Sequence, residues 1–143
     1  MRFLVVGYSL LLAVASAANA SSAASDPVIG VWINADRSAK VETKACGRSL
    51  CAAVVWASAE AVRKAKKAGT DPLLGVELLS DYQRKASGIW QGQVFVPDMN
   101  RHFFSRIEPA GINRMKLSGC VLSGLICKST LWTRDNPMAS GHA

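Results

Sequence analysis

The segment Arg114 to Arg134 reads Arg-Met-Lys-Leu-Ser-Gly-Cys-Val-Leu-Ser-Gly-Leu-Ile-Cys-Lys-Ser-Thr-Leu-Trp-Thr-Arg and indicates the kind of fold that the chain adopts. Two runs of alternating or β-prone residues flank a short link rich in Gly and Ser, which is the pattern of a β-hairpin. A cysteine stands on each side of the link, at Cys120 and Cys127. The simplest structure for this segment is therefore a hairpin pinned by a disulfide.

Upstream of this hairpin, the same alternation recurs. Lys40, Glu42 and Lys44 alternate with intervening apolar or hydroxyl residues, as in a strand that is wet on one side. Further strands are predicted over 29–34, 52–56, 73–79, 87–96 and 103–107 and in a segment that ends at Gly119. Between the third and fourth strands, Ala59 to Ala68 is rich in helix formers and ends at Gly69, so we expect a short helix or an ordered loop there.

These eight strands have short connections, apart from the helical segment. Strands and helices do not alternate regularly, which argues against a parallel α/β sheet. Eight antiparallel strands in simple order can close on themselves and remove their exposed edges. We therefore predict an all-β fold, an eight-stranded antiparallel up-and-down β-barrel of lipocalin type, with an open meander or a sandwich as the alternative.

The start of the chain resembles a secretory signal peptide. Met1-Arg2 is followed by a largely apolar stretch and by Ala18-Asn19-Ala20, which offers small residues for cleavage. We predict a signal peptide over 1–20, a leader over 21–28, one barrel domain over 29–135 and a flexible tail over 136–143. The net charge of +7 favours anionic partners, but nucleic acid is a poor candidate for a protein that is periplasmic or secreted. No transmembrane span is expected in the mature chain.

Four cysteines in an exported chain of this size favour disulfides over a metal site. Four cysteines allow three pairings, of which Cys46–Cys51 and Cys120–Cys127 each fit across a local turn. A zinc site is the alternative, but the spacings differ from a paired-cysteine knuckle and no His is near. The sequence thus predicts two short-range disulfides and neither metal nor cofactor.

Several motifs in this chain resemble a known family. The end of the chain carries Gly119-Cys120, Gly124, Cys127 and Trp132-Thr133-Arg134, and upstream, in order, stand Gly30-Val31-Trp32, Cys46 with Cys51, Pro72-Leu73-Leu74-Gly75, Trp90-Gln91-Gly92 and Pro97-Asp98. In this order the blocks resemble the domain-of-unknown-function family 2147 (DUF2147). The resemblance implies a small lipocalin-like barrel exported from a bacterial cytoplasm, without an assigned activity.

Trp32 and Arg134 are predicted to close one end of the barrel. Gly30-x-Trp32 and Trp132-x-Arg134 resemble the lipocalin pattern in which a first-strand Trp is covered by a last-strand Arg. Closing the barrel brings the first and last strands together, and a guanidinium over an indole face stabilises the contact by about 0.5 to 2 kcal/mol. We expect a structural role for this pair.

The face of the strands predicted to point inwards is mostly apolar with a few hydroxyls, which suits a small apolar or amphipathic ligand. The candidate pocket residues are Val41, Thr43, Trp90, Val94, Phe103, Ile107, Met115 and Leu117. The alternative is a barrel filled by its own side chains, because eight strands enclose little more than a packed core. Gly92 and Gly119 on the inward face would leave room, so the sequence favours a carrier or scavenger.

Two other functions are weighed against this carrier. A basic cluster, Arg63, Lys64, Lys66 and Lys67, could contact an anionic envelope surface in a structural or interaction protein, although such runs are commonly solvated faces. An esterase-like site could be assembled from Ser105, His102 and Asp98, but no nucleophile-elbow motif is present. Ser105 and His102 also have opposite strand parity, so we do not expect an enzyme.

Overall fold

The computed structural model describes residues 26–136. The predicted signal peptide, most of the leader and nearly all of the predicted tail lie outside the described residues. The elements in chain order are β1 (Gly30–Ile33), β2 (Ala39–Cys46), β3 (Ser49–Ala57), α1 (Ala59–Ala68), β4 (Glu77–Arg84), β5 (Trp90–Val96), β6 (Arg101–Pro109), β7 (Arg114–Val121) and β8 (Ile126–Arg134).

Each strand pairs antiparallel with its neighbour in sequence, and β1 also pairs with β8, so the sheet closes into a barrel. Closure rests on two register pairs, Trp32 with Arg134 and Ile33 with Thr133. The predicted closed, eight-stranded, antiparallel up-and-down barrel is confirmed. Because the strands alternate in direction, the connections 34–38, 58–76, 97–100 and 122–125 lie at one end, called the upper end below. Residues 26–29 and the remaining connections lie at the lower end.

The β7–β8 hairpin forms as the sequence predicts, with Cys120 directly opposite Cys127. Their Cα atoms are 4.0 Å apart, and those of Cys46 and Cys51 are 5.9 Å apart, and both pairs are disulfide-bonded. Each bridge spans a single turn and fixes the pairing of two adjacent strands.

The basic segment between β3 and β4 is a helix. Ser58 caps its start by accepting from the backbone N–H of Ala61 at 3.1 Å, and Gly69 ends it with φ +105°. Ala65 is buried and packs on the barrel core. The Ser58 N–H donates to the Ser38 carbonyl at 2.8 Å, so α1 is fastened to the β1–β2 loop across the upper end.

The fourth strand differs from the prediction of 73–79. It runs from Glu77 to Arg84, while Leu73 is buried within the connection that precedes it. Gly75 has φ +84° and lies in a turn in which the Val76 N–H donates to the Leu73 carbonyl, so the regular strand begins only after it. The polar half of β4, which includes Tyr82, was therefore missed because it is not a hydrophobic run.

Candidate functional site

The upper half of the barrel encloses a cavity of about 1110 Å³ that reaches the upper end. Four predicted pocket residues, Val41, Val94, Phe103 and Leu117, line it. The sequence reasoning missed further apolar lining side chains, which come from β3, the β3–β4 connection, β4 and β8: Val54, Leu73, Leu78 and Trp132. Of these, Trp132 could have been found from its parity with Arg134.

The mouth of the cavity is charged. Its lining includes three acidic and three basic residues, Asp36, Arg37, Glu60, Lys64, Asp98 and Lys128. Lys64 lies 2.8 Å from Glu60 in an ion pair one helical turn apart. The pKa of Asp36 is lowered, chiefly because the Ser38 hydroxyl donates to its carboxylate at 2.6 Å. The arrangement therefore combines an apolar interior with a polar, mixed-charge rim.

Tyr82 lies below this cavity, and Gly92 makes room for its ring. A Cβ atom on Gly92 would lie 2.5 Å from Tyr82 Cδ2 and 2.8 Å from Tyr82 Cα. The Tyr82 hydroxyl forms a hydrogen bond with the hydroxyl of Ser105, and both side chains are fully buried. The space that Gly92 was expected to leave for a ligand is thus filled by Tyr82, whereas no atom lies within 4 Å of a Cβ placed on Gly119.

The other four predicted pocket residues are buried but do not line the cavity. Ile107 and Met115 are fully buried in the core cluster. Thr43 accepts from Trp32 Nε1 at 3.2 Å and from the Gly30 N–H at 3.0 Å. The indole of Trp90 donates to Asp26 Oδ2 at 3.3 Å. The assignment of these four to the pocket is corrected, because strand alternation identifies the inward face but not the height of a residue along the barrel.

Arg134 and Trp32 meet at the lower end as the sequence predicts. The guanidinium carbon lies 4.3 Å from the centre of the Trp32 ring. Arg134 donates to the carbonyls of Ile112, Ile29 and Pro27 at 2.7 to 2.8 Å. Burial lowers the pKa of Arg134, but arginine remains charged in proteins. These contacts tie the segment before β1 and the β6–β7 connection to the end of β8.

Gly30 allows this approach of the guanidinium. Its φ is +140°, and a Cβ there would overlap Arg134 Nη1. The Gly-x-Trp spacing thus has a steric reason, because any side chain at position 30 would occupy the space of the Arg134 guanidinium.

The predicted basic cluster is divided by ion pairs. Lys64 pairs with Glu60, and Lys66 Nζ lies 3.3 Å from Asp71 Oδ2. Arg63 and Lys67 are exposed and have no ion pair with a carboxylate of residues 26–136.

The residues considered for an esterase-like site are not assembled. Ser105 is buried against Tyr82, whereas His102 is exposed on the other face of β6, with its ring 4.8 Å from that of Phe95. Asp98 lies at the cavity mouth. Within the described part of the chain, no three His, Cys, Asp or Glu side chains cluster as metal ligands would.

Tyr82 predicts a pH dependence of stability. Burial raises the pKa of Tyr82 well above its usual 10.0, and the hydrogen bond with Ser105 offsets this only in part. Above about pH 10 the unfolded chain ionises Tyr82 while the folded chain keeps it neutral, so this group lowers the free energy of unfolding by about 1.4 kcal/mol per pH unit. Denaturant unfolding of wild type and Tyr82→Phe from pH 8 to 11.5 checks this. The advantage of the wild type should shrink above pH 10, and a constant difference would contradict the prediction.

Comparison with known proteins agrees with this geometry. A family model described as "Uncharacterized protein conserved in bacteria (DUF2147)" matches residues 30–134. The solved structure of protein HP1028 from the human pathogen Helicobacter pylori, described as belonging to the lipocalin family, is similar with a TM-score of 0.59 and 14% sequence identity. The match covers 76% of this chain and 82% of that chain. No curated protein matches. Among residues 26–136, no helix has the length and apolar character needed to cross a membrane.

Proposed function

The chain belongs to the DUF2147 family of bacterial proteins, and we propose that it is an exported, lipocalin-like carrier or scavenger that binds a small apolar or amphipathic ligand inside its barrel. The observation that carries the proposal is the cavity of about 1110 Å³ in the upper half of the barrel. Ligand pockets typically measure about 300 to 1,000 Å³, so this one has room for a ligand of that class.

The lining of the cavity supports an apolar ligand body. Valine, leucine and aromatic side chains from most of the strands face the interior, and such walls attract apolar surface by removing it from water. The buried core beneath, with Tyr82 lying across Gly92, keeps the lower half filled. The ligand would therefore enter at the upper end and stop above Tyr82.

The mouth supports an amphipathic ligand. Acidic and basic groups in equal number surround it, so a polar or charged end of the ligand could stay among solvated partners at the rim while its apolar part is buried. No catalytic step is part of this proposal, because Ser105 and His102 lie on opposite faces of β6.

Native mass spectrometry of the protein purified from the periplasm tests the proposal. We expect a stoichiometric adduct that denaturing extraction releases as a small apolar or amphipathic molecule. A clean apoprotein that stays unchanged after exposure to a lipid extract would contradict it.

A substitution that fills the cavity should weaken binding. Gly119 lines the cavity and has no atom within 4 Å of a Cβ position, so Gly119→Trp should place its indole in the empty space without displacing the wall. We expect the dissociation constant for the dye anilinonaphthalene sulfonate, measured by calorimetric titration, to rise by about tenfold or more, which corresponds to about 1.4 kcal/mol or more.

Thr133→Trp is the matched control. Thr133 is exposed on the outer face of β8, so the same side chain is added without entering the cavity. Dye affinity should remain within about twofold of wild type, or about 0.4 kcal/mol. Equal weakening by both substitutions would show that the dye does not report on the cavity.

The alternative function is that of a cell-envelope protein acting through its outer surface. The exposed Arg63 and Lys67 favour it, and the pairing of Lys64 and Lys66 with acidic neighbours weakens it. Replacing all four basic residues with Gln should abolish envelope association under this alternative and leave the protein folded. Retained association would exclude a role for this cluster.

A further inference from the structure

The tip of the β7–β8 hairpin exposes an apolar surface at the upper end of the barrel. Leu122 and Leu125 in the turn are 66% and 84% exposed, and Val121 and Ile126 at its base are about half exposed. On the outer face the ring of the partly exposed Phe104 lies near Gly124 and extends this surface. We call Val121, Leu122, Leu125 and Ile126 the hairpin tip.

The backbone of the tip is strained where it displays an apolar side chain. Leu122 and Ser123 have φ of +52° and +56°, a region that bulky residues rarely adopt and that hairpin turns normally fill with Asn, Asp or Gly. Leu122 gains little packing from the protein in return, because two thirds of it is exposed. The disulfide between Cys120 and Cys127 holds the base of the turn. A bulky residue kept in this backbone conformation supports a functional hypothesis for the turn.

Two cations lie beside the hairpin tip. Lys128 follows the tip by two residues, and no carboxylate within 26–136 forms an ion pair with it. Arg106 Nη2 lies 3.9 Å from Cys127 Sγ, which places a second cation beside the hairpin.

We propose that the hairpin tip inserts into the interface of an anionic lipid bilayer, with Lys128 and Arg106 facing the headgroups. A convex turn that projects two leucines beside cations resembles the way in which peripheral proteins bury apolar side chains at the level of the headgroups and add electrostatic attraction. Val121, Ile126 and Lys128 also line the rim of the cavity, so docking would bring the mouth close to the bilayer. The proposal does not depend on what the cavity binds.

Vesicle flotation with the purified protein tests this attachment. We expect binding to vesicles of phosphatidylglycerol and phosphatidylethanolamine and much weaker binding to phosphatidylcholine vesicles. The double variant Leu122→Ser, Leu125→Ser should lower the partition coefficient by about tenfold or more, since two apolar side chains no longer enter the interface. Lys128→Gln should weaken binding to the anionic vesicles only.

Ile112→Ser is the matched control, because Ile112 is also exposed but lies at the opposite end of the barrel. It should bind anionic vesicles as the wild type does, and melting curves should show all variants folded. No binding by the wild type, or equal binding by the double variant, would overturn the proposal. A concentration-dependent dimer that the double variant loses, without vesicle binding, would overturn it in favour of a second copy of the chain.

Discussion

Arg134→Ala should lower the free energy of unfolding by about 4 kcal/mol, within the range measured when one partner of a buried charged contact is removed. The substitution leaves the carbonyls of Pro27, Ile29 and Ile112 without their donors, and a hydrogen bond to a charged group contributes about 1.5 to 3 kcal/mol. It also removes the cation from the Trp32 ring. Urea unfolding of variant and wild type measures the difference.

Two further substitutions separate the causes. Arg114→Ala, at an exposed position near the same end of the barrel, should change the free energy of unfolding by less than about 0.5 kcal/mol. Arg134→Lys keeps the charge, but one ammonium group cannot reproduce three diverging N–H donors. The decrease in its free energy of unfolding should therefore fall between the decreases for Arg134→Ala and Arg114→Ala. If Arg134→Ala cost no more than Arg114→Ala, the lower end would not depend on this arginine.

Gly92→Ala should lower the free energy of unfolding by about 3 kcal/mol, which is near the upper end of the usual cost of overpacking a core. The added Cβ would lie 2.5 to 2.8 Å from three atoms of Tyr82, one of them the backbone Cα. Because Cα belongs to the paired strand β4, rotating the tyrosine ring cannot relieve the contact, and β4 and β5 must separate.

Gly119→Ala is the control for this prediction, since both glycines face inwards but only Gly92 has a neighbour within 4 Å. We expect Gly119→Ala to leave stability unchanged or raised slightly, because alanine restricts the unfolded chain more than glycine does. Thermal or urea unfolding of both variants measures the contrast. Equal effects on stability would contradict the close contact between Gly92 and Tyr82 and the open space beside Gly119.

The candidate site shows where prediction from the sequence stopped. Val41 and Thr43 share the inward face of β2, and alternation predicted as much. Val41 lines the cavity, however, whereas Thr43 bonds to the Trp32 indole and the Gly30 N–H. A shift of two residues along β2 thus leads from the wall of the cavity to the packed core. The alternation of side chains along a strand shows which face a residue lies on, but not how far along the barrel axis it lies.

The position of Tyr82 could not be predicted for a similar reason. Its strand was placed too early, because Leu73 and Leu74 form the more apolar run, and a polar segment rarely indicates a strand by itself. Only the closed sheet shows that β4 crosses Gly92 of β5 and brings the Tyr82 hydroxyl to Ser105 of β6. The filled lower half of the barrel follows from this contact.

The sequence by itself determined the barrel, the two disulfides and the Trp32–Arg134 contact. The barrel follows from local periodicity and the disulfides from cysteines across single turns. The Trp32–Arg134 contact follows from the resemblance to the lipocalin pattern together with the closure that brings the first and last strands together. Only the tertiary structure decided that the lower half is filled and the upper half hollow, and that the hairpin tip stands exposed beside the mouth. Those features depend on the volume and height of side chains from several strands at once, and no single segment encodes them.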